Sequence, residues 1–154
     1  MSNSTTQPGI GSMTILAGAT FRELWQRATI DYETQEINGV MCKMDGTPVP
    51  ASDILAEDYT NCTAVMEIRD ADTNALLYTL TTTDGSIAFV ESAPGKLDTL
   101  MLIMQSTATG ALPEFTAAVG HVEVRRPWGD IERQYEFTFA YSQQKTAVEP
   151  PALP

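Results

Sequence analysis

The sequence predicts an all-β fold, a sandwich or barrel of short strands, with an irregular N-terminal third and extended termini. Three observations carry this. Apolar and polar residues alternate with period two in short runs from residue 62 to 141. Turn residues (Gly, Pro, Asp, Asn) punctuate the runs at short intervals. Between those runs no stretch keeps helical periodicity for long.

The front of the chain is the least regular. Residues 1–11 are mostly Ser, Asn, Thr, Gln, Pro and Gly, which reads as a flexible arm. Met13, Ile15 and Ala17 alternate as a strand. Thr20-Phe21-Arg22-Glu23 has the form of a capping box, with Leu24, Trp25 and Ala28 at helical spacing. The same stretch also alternates as Phe21, Glu23, Trp25 and Arg27, and strand is the favoured reading, with one or two strands around Gly18. From Asp31 to Asp58 the chain is broken by Gly39, Asp45-Gly46, Pro48 and Pro50. Within it Val40 to Met44 reads as a strand and Asp45-Gly46 as a tight turn. Ser52 or Asp53 caps a short helical turn running through Ile54, Leu55 and Glu57.

The remaining strands follow in order. Tyr59 to Arg69 places Ala64, Met66 and Ile68 on one face and Thr63, Val65, Glu67 and Arg69 on the other. Leu76 to Thr82, Ser86 to Val90, Leu97 to Gln105, Ala117 to Arg125 and Glu132 to Tyr141 complete six strands. They are separated by Asp70 to Ala75, Asp84-Gly85, Pro94-Gly95, a loop from Thr107 to Pro113, and Pro127-Trp128-Gly129-Asp130. Ala64, Met66, Ile68, Leu100, Leu102, Phe137 and Phe139 are the expected core. The organisation is one domain over residues 12–144, followed by a Pro-rich tail, 145–154.

Composition narrows the function. Twenty acidic and nine basic residues give a net charge of −11. Phosphate binding needs clustered Lys and Arg, so no nucleic-acid partner is expected. The longest mainly apolar run, Leu97 to Met104, contains Asp98 and is too short to span a membrane, so no membrane partner is expected either. The first residues lack the charged and apolar regions of a secretory signal. Synthesis in a cytoplasm follows as an expectation, and with it reduced thiols at Cys42 and Cys62.

The residue chemistry offers no enzyme. His121 is the sole histidine and sits opposite Val122 and Val124 on its strand; the cysteines are far from it in sequence and form no C-x-x-C. Asp70, Asp72 and Asn74 begin like a calcium loop, but Ala75 stands where glycine is needed and Thr81 where glutamate is needed. They read as a hairpin turn. Trp128 and the aromatic face of the last strand read as a turn anchor and core before they read as a carbohydrate platform. Phosphate loops, dinucleotide fingerprints and hydrolase elbows are missing. No catalytic residue, cofactor or metal site is expected.

The order of elements resembles a family of small tailed-phage virion proteins. The resemblance rests on Met66-Glu67-Ile68-Arg69-Asp70 closing a strand, the Leu-rich strand from Leu76, Asp84-Gly85-Ser86-Ile87, Pro94-Gly95-Lys96-Leu97, the loop ending Ala111-Leu112-Pro113, and the strand pair across Pro127-Trp128-Gly129-Asp130. It is similar also to the N-terminal domain of phage baseplate upper proteins, and that similarity implies an Ig-like antiparallel β sandwich. The resemblance covers residues 59–141; the stretch from Thr29 to Tyr59 departs from it. It implies a non-enzymatic virion structural protein, a tail, baseplate or neck adaptor anchoring fibres or linking subunits. Its partners would be other virion structural proteins and copies of itself. The alternatives are a capsid decoration or head-fibre anchor protein, and a small bacterial ligand-binding module or enzyme. On the virion reading both termini order against neighbouring subunits.

Overall fold

The computed structural model describes residues 8–143. Most of the flexible arm and the whole Pro-rich tail expected from the sequence lie outside the described residues. The strands are β1 (Gly9–Leu16), β2 (Phe21–Gln26), β3 (Ala28–Ile30), β4 (Thr34–Ile37), β5 (Val40–Lys43), β6 (Ile54–Ala56), β7 (Thr63–Asp70), β8 (Leu76–Thr81), β9 (Ile87–Ala93), β10 (Lys96–Met104), β11 (Ala118–Arg125) and β12 (Ile131–Ser142). A single helical turn, α1 (Ser106–Gly110), lies between β10 and β11. The fold is all-β, as the period-two alternation requires.

Two sheets share one core. The larger has the order β1-β12-β11-β7-β8 and the smaller β2-β10-β9. Alternate residues of each face inward. Met66 and Ile68 on β7, Val122 and Val124 on β11, and Phe137 and Phe139 on β12 meet Phe21, Leu100, Leu102 and Ile87 from the smaller sheet. Aromatic rings cross the gap: Trp25 lies 4.8 Å from Phe137 and Phe21 6.3 Å from Phe139, centroid to centroid. All seven residues expected in the core are buried.

Five details depart from the sequence reading, each for a physical reason. β1 begins at Gly9, inside the expected arm, and runs parallel to β12 with Gly11 opposite Phe137; the larger sheet is therefore not wholly antiparallel. Glycine permits this approach, because a Cβ on Gly11 would sit 2.5 Å from the Trp25 ring. β7 starts at Thr63, not Tyr59. Residues 59–62 form a turn, with the Cys62 amide donating to the Tyr59 carbonyl, and the Tyr59 ring is buried against Phe89 at 4.3 Å. The helical turn after Pro50 covers only Ala51–Asp53, with no side-chain cap; Ile54 is already extended and pairs with Ile30. The expected loop at Thr107 contains α1, held by the buried Thr109 hydroxyl, which donates to the Ala19 carbonyl at 2.7 Å. Finally, Asn38-Gly39 makes a hairpin that sequence reading passed over. Both residues have positive φ, 51° and 80°, the geometry of a two-residue turn between β4 and β5.

The stretch that could have been helix is strand, β2 and β3 with a break at Arg27, and the chain turns at Gly18, φ 80°. The turns expected at Asp45-Gly46, Asp70 to Ala75, Asp84-Gly85, Pro94-Gly95 and Pro127 to Asp130 are all present.

Candidate interaction surface

The least covered part of the described chain is the excursion between β2 and β7. Its two small sheets, β3-β6 and β4-β5, belong to neither larger sheet. From Ala28 to Ala56 the sole buried residue is Cys42, and it is not part of the main core. A two-stranded ribbon gains little stability alone in water. This one exposes apolar residues on both faces. Ile37 and Val40 face each other across the hairpin and so share one face, while Met41 pairs with Glu36 on the other. Met44, Ile54 and Leu55 are exposed beside them. Local polar contacts shape the excursion. The Tyr32 hydroxyl donates to Asp53 at 2.6 Å, and the Lys43 ammonium lies 3.8 Å from Asp53 and over the Tyr32 ring. Burial and the Asp53 contact push the Tyr32 hydroxyl up to about 12. Asp45 accepts bonds from the Thr47 hydroxyl and amide, which close the turn and hold its carboxyl below the usual range.

The base of the excursion is anchored by a polar cluster. The Glu57 amide donates to the Arg27 carbonyl at 3.2 Å, and the Tyr59 amide to the Leu97 carbonyl at 2.8 Å. Arg126, 8% exposed, pairs with Glu57, grips both oxygens of Glu132 at 2.9 and 3.0 Å, and donates to the Asp58 carbonyl at 2.9 Å. Gln134, fully buried, donates to Glu132 at 3.0 Å and accepts from the Tyr59 hydroxyl at 2.8 Å. A fork-shaped guanidinium satisfies several acceptors at once, so the buried charges are compensated. The bonds from Arg126 hold the Glu132 carboxyl below the usual carboxylate range. Sequence reading missed this cluster, because no spacing links residue 57 to residues 126–134; only the sheet topology brings them together.

The residues singled out in the sequence do not converge. His121 lies half-buried on the outer face of the larger sheet, in register with Glu67 on β7 and Glu136 on β12. The shallow groove around it is lined by Val65, Glu67, Arg69, Val119 and Glu123, with no hydroxyl or thiol nucleophile. Asp70 accepts from the Asp72 and Thr73 amides at 2.8 and 3.1 Å, the work of a hairpin turn. Trp128 is exposed, and its ring nitrogen donates to Asp130 at 2.9 Å across the turn. Tyr135, Phe137 and Phe139 are core. Cys42 and Cys62 are not joined to each other. Among the described residues no group of three or more His, Cys, Asp or Glu is placed to hold a metal ion, and no helix is long and apolar enough to cross a membrane.

No protein-family model matches this chain, and no curated protein matches it at a significant level.

Proposed function

We propose that this chain is a non-enzymatic structural component of a tailed bacteriophage particle. It is built on an Ig-like β sandwich and sits in the tail, baseplate or neck, where it anchors fibres or links subunits. The observation that carries the reading is the excursion from Ala28 to Ala56. It exposes apolar residues on both faces of a thin ribbon and buries one side chain of its own. Such a segment gains stability by burying that surface against a neighbour, as parts of assembled particles do. The polar cluster under Arg126 supports the same reading, since it fixes the base of the excursion to the sheets. The resemblance of the sequence over residues 59–141 to small tailed-phage virion proteins supports the same reading.

The test is mass spectrometry of purified particles from cells in which the phage encoding this chain is growing. The reading expects the chain in the particles at a fixed ratio to a tail protein. Its confinement to the particle-free lysate would overturn the reading.

A further inference from the structure

The excursion carries a pronounced charge bias. Between Ala28 and Ala56 it holds Asp31, Glu33, Glu36, Asp45 and Asp53 against one cation, Lys43. Lys43 is engaged with Asp53. Asp31, Glu33 and Glu36 are exposed and have no ion-pair partner among the described residues. They flank the same ribbon that exposes Ile37, Val40, Met41 and Met44. A partner must cover apolar surface and at the same time face three carboxylates that have no ion-pair partner among the described residues. Like charges across an interface cost affinity, and opposite ones steer docking. A second copy meeting this face by two-fold symmetry would set Asp31, Glu33 and Glu36 near their own duplicates, on a chain already at −11.

We infer that the excursion docks into a different protein, through an apolar cleft rimmed with Lys or Arg, and not onto a second copy of itself. The inference rests on reading the excursion as an interaction arm. Presence in particles tests that reading, while the binding chemistry is tested separately on the purified chain.

Methionine methyl NMR suits the test, because Met41 and Met44 lie in the excursion while Met13, Met66 and Met104 lie in the core. The full chain is titrated with a synthetic amphipathic peptide of Leu and Lys, and with the same peptide carrying Glu for Lys. The Lys peptide is expected to shift Met41 and Met44 and leave the core methyls in place, with affinity falling about tenfold or more in high salt. The Glu peptide is expected to leave all of them in place. Glu33→Lys with Glu36→Lys, both at exposed positions, is expected to reverse the preference. Two results would overturn the inference: Lys-peptide shifts that spare Met41 and Met44, or concentration-dependent dimerisation of the free chain that broadens those two signals.

Discussion

Arg126, the residue after β11, forms a buried ion pair with Glu57, where the excursion returns to the sheets. The two are 69 positions apart in the chain. Their side chains are 9% and 10% exposed, so neither charge has water to replace its partner.

Removing Arg126 is therefore costly. Arg126→Met should destabilise the fold by about 3–5 kcal/mol, because buried Glu57 loses the guanidinium it pairs with, while its bond from Gln134 is long, at 3.4 Å. Adding Glu57→Gln should recover part of that loss, which a double-mutant cycle in urea would measure. Simple additivity of the two losses would show that the pair is not coupled.

Close packing at Gly11 gives a second prediction. Gly11→Ala puts a methyl 2.5 Å from the rigid Trp25 ring and should cost about 1–3 kcal/mol. Gly120→Ala meets the unbranched Met66 chain, its sulfur at 2.9 Å, and the Phe139 ring at 3.1 Å; because the closest neighbour is a chain that can turn aside and not a ring, it should cost less. The order of the two urea midpoints checks this; the reverse order would mean that β1 packs differently.

The register of β12 makes a third. Phe137→Ala should cost about 3–5 kcal/mol, since its ring is fully buried between the sheets. Ile10→Ser, at an 81% exposed position on β1, should stay within about 0.5 kcal/mol. Equal effects would mean that the inward and outward faces are misassigned.

Acid should weaken the fold. Hydrogen bonds from Arg126 lower Glu132, and bonds from Thr60, Ser86 and Ser92 lower Asp58, Asp84 and Asp98. Each group is a stronger acid in the folded chain, so the unfolded chain takes up protons first as pH falls. That stabilisation is present above the ordinary carboxylate range near pH 4 and is lost as pH drops through the lower native values. Urea midpoints should be flat from pH 7 to about 5 and fall below 4. Asp84→Asn should flatten part of the decline. A midpoint that rises on acidification would show that relief of the −11 charge outweighs these bonds.

What was legible in the sequence follows physical range. Alternation at Ala64, Met66 and Ile68 is local, so the β7 face could be read directly. Turn chemistry at Asp84-Gly85 and Pro94-Gly95 is local too. The parallel pairing of β1 with β12 and the gathering of Glu57, Arg126 and Glu132 depend on contacts across most of the chain, which no pattern of spacing records. Tyr59 misled the reading of β7, because a buried aromatic in a turn has the same composition as a strand residue. The excursion was legible only as irregularity; that its apolar residues stay uncovered became visible once the two sheets were seen to exclude it.

On the proposed function, the excursion serves assembly and not folding. Ala28 and Ala56 are register partners, so a two-residue Asn-Gly turn can join them in place of residues 29–55. The decisive measurement is incorporation of that variant into phage particles, alongside its urea midpoint. The account predicts a core that folds with a near-normal midpoint and a protein missing from the particles. Wild-type incorporation of the shortened chain, or loss of the folded core, would contradict it.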